Sequence, residues 1–273
     1  MSALYNYIVY IILLVLIQSS NIAASESENI QIEVSNATLV SVNSNNQHIC
    51  TGTLFAPNLL ITSASCVCNN TTKNLTITAS IKRSDNEEKV YQVQQVFCHP
   101  SLYISSKSEI ADIAVISLEE FITIITEQRV AVILLSSNLL PKTNCYFLGF
   151  HENSNETVPN VESQKQVEIM STDNCRKIIT DDPKKTHNPV TVDSFIACSI
   201  SKLQNKFKIK GAPLFCRGRF YAIFDEVIQN GKEKIITVIK IQEMLEFLTK
   251  IGQAYGWELS DKTFESLFTP RLG

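Results

Sequence analysis

The sequence predicts an all-β protein, a barrel or a sandwich, that ends in one C-terminal α-helix. Short apolar segments of strand length recur along it between polar breaks. Leu75, Ile77, Ala79 and Ile81 alternate strictly with Thr76, Thr78 and Ser80, the period-two mark of a strand with one face buried. Near the C-terminus the period changes. Ile241, Met244, Leu245 and Leu248 fall at i, i+3, i+4 and i+7, the stripe of an amphipathic helix.

Residues 1–24 carry no Asp, Glu, Lys or Arg. The apolar run Ile8–Ile17 gives way to polar Gln18–Asn21 and the small pair Ala23–Ala24, so the spacing predicts a secretory signal peptide cleaved near Ala24. An uncleaved anchor is the competing reading, but the run is well short of the ~20 residues that span a bilayer. The expected domain is 25–252. Its strands are Thr53–Thr62, Leu75–Ile81, Val90–Phe97, Asp112–Leu118, Arg129–Leu135, Cys145–Phe150, Gln166–Met170, Phe220–Phe224 and Lys234–Ile239. The helix is expected over 237–251, with Thr237 capping its start and Gly252 after its last turn. The tail 253–273 has no clear period.

Composition narrows the class of function. With 44% hydrophobic and 19% charged residues the chain is an ordinary globular protein. A formal net charge of -3, without a dense Lys/Arg run, argues against nucleic acid as a partner, because phosphate binding needs clustered positive charge. Eight cysteines, Cys50, Cys66, Cys68, Cys98, Cys145, Cys175, Cys198 and Cys216, lie beyond the leader, and an even count in an exported chain implies disulfides. Cys66-Val-Cys68 lacks the matching His or Cys pair of a zinc site, so no metal and no cofactor are expected. Asn-x-Ser/Thr acceptor triplets for N-glycosylation stand at Asn36, Asn69, Asn70, Asn74 and Asn155. Those from Asn69 to Asn74 crowd into one segment, which reads as an exposed loop.

Three segments carry a resemblance. Cys50-Thr-Gly-Thr-Leu-Phe-Ala-Pro-Asn-Leu-Leu-Ile-Thr-Ser-Ala-Ser-Cys66 resembles C-G-G-S-L-I-x-x-x-x-V-L-T-A-A-H-C of the trypsin-like serine proteases. Ala111-Asp-Ile-Ala-Val-Ile-Ser-Leu118 resembles their D-I-A-L-L-x-L, and Lys208-Ile-Lys-Gly-Ala-Pro-Leu-Phe-Cys216 resembles their G-D-S-G-G-P-L-x-C. The order and spacing are those of the family, over roughly residues 30–252. The resemblance implies two six-stranded antiparallel β-barrels, about 30–130 and 131–236, with the C-terminal helix behind them. It also implies the disulfides Cys50–Cys66, Cys145–Cys216 and Cys175–Cys198. Cys68 and Cys98 then pair by elimination, a bridge that is not a family feature.

The same resemblance shows what has been lost. Peptide hydrolysis in this family needs a hydroxyl nucleophile, an imidazole base, a carboxylate that orients it, and N–H donors for the oxyanion. The imidazole position holds Ser65, whose hydroxyl is no base near neutral pH. The nucleophile position holds Lys210, whose ammonium is no nucleophile. Asp112 occupies the carboxylate position, Lys208 the oxyanion-hole glycine, and Ile209 the carboxylate that receives a new amino terminus on activation. No R-I-V-G-G-like segment precedes Cys50, where the chain runs Ile30-Gln-Ile-Glu-Val-Ser-Asn36. Asp225, Glu226 and Val227 align with the pocket-wall S-W-G, so a β-branched side chain stands where glycine opens the pocket. Only eight glycines occur, against a usual ~7% of residues.

The expected function is therefore that of a secreted, catalytically inactive serine protease homologue working by protein binding. It would be a regulator, decoy or cofactor of extracellular proteolysis, with a partner such as an active protease or its inhibitor, and with no membrane contact after leader cleavage. The alternative is a serine-type endopeptidase or hydrolase with residual or unconventional activity. A third reading is capture of a peptide in the remnant cleft. A displaced imidazole, from His48, His99, His151 or His187, beside a free hydroxyl in an open crevice would favour the enzyme.

Overall fold

A computed structural model describes residues 39–80, 88–103, 111–122, 139–151, 162–181, 196–201, 207–208, 210–217, 219–230, 233–259 and 268–270. Six strands form the first barrel: β1 (Leu39–Ser44), β2 (Gln47–Ala56), β3 (Leu59–Thr62), β4 (Leu75–Ser80), β5 (Glu88–Cys98) and β6 (Ala114–Leu118). They close in the order β1-β2-β3-β6-β5-β4, antiparallel throughout. The alternation read in β4 puts Leu75, Ile77 and Ala79 in the core, while Thr78 on the other face is buried as well, its Oγ1 accepting from Asn43. The three apolar residues pack with Val40, Val42, Leu54, Leu60, Tyr91 and Ile116 in one apolar core.

The second barrel comprises β7 (Asn144–His151), β8 (Glu162–Ile169), β9 (Ile196–Ser201), β10 (Phe207–Lys208), β11 (Pro213–Cys216), β12 (Arg219–Asn230) and β13 (Glu233–Lys240). β10 and β11 share one edge of β7, and β8 pairs with the other, so these segments close a six-stranded ring. Phe147, Val167, Leu214, Phe224, Ile236 and Val238 fill it. The fold is thus the pair of six-stranded antiparallel barrels with one C-terminal helix. β1 packs on β7 and β2 on β11.

Several elements differ from the sequence reading. Thr53–Thr62 is not one strand: Pro57 and Asn58 break it into β2 and β3, with Ala56 opposite Leu59. Proline has no N–H for the ladder, and the turn's carbonyls instead accept from Leu118 and Ile122. The helix does not begin at Thr237. Strand β13 runs on to Lys240, held between β12 and β9, so the second barrel ends there rather than at residue 236. A 3₁₀ turn (Ile241–Met244) then leads into a helix over Leu245–Ala254. Thr237 is β-branched within a β-branched run, and sheet pairing on both sides outweighs its capacity to cap. Gly252 lies inside that helix, and Gly256 at φ +78° follows its end.

Among the described residues two short α-helices precede the terminal one. The first, α1 (Ala64–Val67), follows β3, and α2 (Thr172–Asp181) follows β8; neither was read from the sequence. A signal for α2 existed, because Ser171 caps it and Cys175 and Ile179 are its buried face. The terminal helix is α3 (Leu245–Ala254), and its stripe residue Leu248 is buried with Ile241 and Met244 before it. Strands β1, β9 and β11 also escaped the sequence reading. The expected strand Arg129–Leu135 and the end of Leu75–Ile81 lie outside the described residues.

Two short strands lie among the described residues of the tail, where the sequence shows no period. β14 (Trp257–Leu259) pairs with β15 (Phe268–Pro270). Between α3 and β14 the chain returns to the first barrel. Tyr255 OH lies 2.8 Å from Ser117 Oγ, and Trp257 Nε1 donates to Asn58 Oδ1 at 3.0 Å. Tyr255 also meets Phe97 edge-on, and Trp257 meets Phe121. Among the described residues no helix is long and apolar enough to cross a membrane.

Candidate functional site

β3 ends at Thr62, and the next residues turn into α1, bringing Ser63 and Ser65 up beside Asp112 at the entry to β6. Asp112 is buried, 2% exposed. Buried carboxylates need donors, and three are in place. Ser65 N–H donates to Oδ1 at 2.6 Å, Ser65 Oγ donates to Oδ2 at 2.8 Å, and Ser63 Oγ donates to the same oxygen. The two serine hydroxyls are also 2.9 Å apart. Ser63 was not singled out in the sequence, although its place in Thr62-Ser-Ala-Ser65 could have suggested a pair of hydroxyls on one turn.

Lys210 reaches this region from the second barrel. Its carbonyl accepts from Thr51 N–H at 2.9 Å, and the residue is solvent-exposed. Gly211 follows at φ +73°, pressed on the Thr51 carbonyl of β2, the Thr62 hydroxyl at the end of β3 and the Ser63 backbone beyond it. Lys208 pairs with Phe150 across β10 and β7, and Ile209 lies outside the described residues. Asp225 sits at an irregularity between Phe224 and Glu226 in β12, where its Oδ2 accepts from Thr237 Oγ1 at 2.8 Å. Val227, beyond it, is 44% exposed opposite Ile236. A cavity of about 20 Å³, room for about one water, lies elsewhere, lined by Met170, Thr172, the Cys175–Cys198 pair, Tyr221 and Lys240. Burial and the nearby Glu243 carboxylate push the Tyr221 phenol well above its ordinary range. No group of residues that could hold a metal occurs among the described residues.

The disulfides join Cys50 to Cys66, Cys68 to Cys98, Cys145 to Cys216 and Cys175 to Cys198. Cys66 and Cys68 flank the end of α1, so two covalent links fix the turn that carries Ser65. Asn69, Asn70 and Asn74 are exposed just beyond it. Asn36 and Asn155 lie outside the described residues.

Two imidazoles bear on the enzyme reading. His48 Nδ1 is 2.7 Å from Ser41 Oγ. That hydroxyl is fully buried and donates to Asn43 Oδ1 at 2.8 Å. With its single proton so engaged it accepts from His48, and no open crevice reaches it. His99 accepts at Nδ1 from Ser101 N–H at 3.2 Å, and its ring stands edge-on to Phe247 at 4.9 Å. Burial holds its pKa below the usual imidazole value. Below about pH 6.5 the unfolded chain takes up a proton that folded His99 still refuses. Stability is therefore full above that pH and falls as pH drops through the window between the two values. Titration of the His99 ring by NMR is expected to give a midpoint below 6.5; a midpoint at or above it would remove this linkage. His187 lies outside the described residues.

A family model described as Trypsin matches residues 27–240. The chain belongs to the trypsin family. Among curated proteins, this trypsin-family chain is similar to chymotrypsin-like elastase family member 1 of Rattus norvegicus, 28% identical over 105 residues, which are 38% of this chain and 40% of the relative. The match thus spans about two-fifths of that relative's length. In fold it is similar to neuropsin, a serine protease expressed in the limbic system of mouse brain. That similarity has a TM-score of 0.62 at 21% identity, over 80% of this chain and 95% of the other.

Proposed function

We propose that this trypsin-family chain is a secreted, non-catalytic homologue that binds another extracellular protein and so regulates proteolysis as a decoy or cofactor. One observation carries the reading. Both oxygens of the Asp112 carboxylate are occupied by Ser65 and Ser63, where the family's chemistry requires an imidazole held ready to take a proton. The Ser65 side chain is a hydroxyl, with no basic nitrogen to take up a proton and pass it on. Lys210, exposed in the nucleophile's place, brings no hydroxyl to attack a carbonyl. An export leader and the disulfides suit an oxidising compartment outside the cell.

The partner is expected to be a protein, such as an active protease or its inhibitor. A fluorophosphonate probe tests the inactive half of the proposal, because it labels a serine only where that serine is activated. No labelling of the secreted chain is expected while an active relative in the same tube is labelled. Specific covalent modification of any serine in the folded chain would overturn the proposal.

A further inference from the structure

The triplets at Asn69 and Asn70 overlap and that at Asn74 follows closely, and nothing in the sequence prefers one acceptor. The structure does. Asn70 Nδ2 donates to Cys66 O at 2.7 Å, satisfying one of the carbonyls that the end of α1 would otherwise leave without a partner. Asn70 N–H donates to Val67 O at 3.1 Å, so backbone and side chain both close the turn. Glycosylation places a sugar on that same amide nitrogen. Of the two hydrogens on that nitrogen it replaces one, so a sugar either takes the hydrogen now bonded to Cys66 O or, with that bond kept by the other, stands its ring beside the turn fixed by Cys50–Cys66 and Cys68–Cys98.

Asn69 and Asn74 differ. All three asparagines are exposed, but among the described residues no hydrogen bond holds the side-chain amide of Asn69 or Asn74. Asn74 is engaged only through its backbone, with its N–H on Thr71 O and its carbonyl accepting from Asn45.

We infer that Asn69 and Asn74 are the glycan-bearing acceptors of this segment and that Asn70 is kept bare by its bond to the end of α1. The bond lies within five residues of chain. Such local contacts form in microseconds or less, fast enough to compete with sugar transfer on a nascent chain. The assignment rests on the secreted reading above and deepens it. A sugar on Asn69 stands one turn of backbone beyond Ser65, so a bulky hydrated group borders the Asp112 cluster on the first barrel's side.

The full chain is expressed in a eukaryotic secretory cell line with its own leader and, in parallel, behind a heterologous one. Failure of its own leader would then bear on export alone and leave the acceptors readable. Enzymatic release of the glycans in ¹⁸O water marks each occupied Asn as a labelled Asp for mass spectrometry. The label is expected at Asn69 and Asn74 and absent from Asn70. The variant Asn69→Gln separates the hydrogen bond from simple crowding between neighbours: it is expected to lose one glycan and leave Asn70 bare. A label on Asn70 in either protein, or none on Asn69 and Asn74 in exported chain, would overturn the assignment.

Discussion

Replacing Gly211 by alanine is expected to cost about 3–5 kcal/mol, enough to leave a marginally stable domain largely unfolded. Gly211 has φ +73°, a conformation that costs an L-residue roughly 1–2 kcal/mol. Its surroundings add the rest. A Cβ there would lie 2.4 Å from Thr51 O, 2.7 Å from Thr62 Oγ1 and 3.2 Å from Ser63 N. None of these can retreat cheaply. Thr51 O already accepts from Thr62 Oγ1, and Thr51 N–H donates to Lys210 O. The glycine is therefore where the second barrel's turn closes on the first barrel's backbone. Gly256 supplies the control, since it has φ +78° but a methyl group placed there would meet nothing within 4 Å. Gly256→Ala should lose only the backbone cost of roughly 1–2 kcal/mol. Urea unfolding of the two variants separates the effects, and equal losses would mean that the contact with β2 and β3 contributes nothing.

Asp112→Ala is expected to destabilise by about 3–5 kcal/mol, because it strands the Ser65 N–H and removes the acceptor for two hydroxyls in a buried site. Asp112→Asn should cost less, about 1–2 kcal/mol. Its carbonyl can still accept from Ser65 N–H, and the hydroxyls can rotate to accept from the new amide. Chemical denaturation of both variants reads the order. The comparison also tests why a carboxylate persists beside Ser65: a structural acceptor predicts stability losses in this order, with no change in probe labelling for either variant. If Asp112→Ala unfolded at the same urea concentration as the parent, the cluster would not hold β6 to α1 at all.

The fold and the site were legible to different depths. Strand β4 announced itself because Leu75, Ile77 and Ala79 face one core, so a period of two in the chain is the period at which strand side chains change face. The start of the last helix was misplaced, because Thr237 has the side chain of a helix cap yet pairs with Cys198 of β9, as Val238 and Ile239 pair with Ala197 and Ile196. A propensity of a few tenths of a kcal/mol per residue cannot compete with a barrel stave's ladder and its buried face. The tail was silent for a related reason. Tyr255 and Trp257 bury single side chains on Ser117, Asn58 and their neighbours rather than a repeating face, and single contacts leave no period.

By itself the sequence determined which chemical groups are available: serine, aspartate and lysine at the positions where the resemblance implies the triad, and eight cysteines in an order that suits the barrels. Those are properties of residue identity and spacing, which folding cannot alter. Only the tertiary structure decided which groups meet. Ser65 and Asp112 are 47 residues apart, and Ser63 joins them from the same turn, leaving both carboxylate oxygens filled. It also decided that Asn70, unlike Asn69, spends its amide on the end of α1. Convergence of donors on one acceptor depends on chain crossings set by barrel closure, and such crossings have no periodic trace in the sequence.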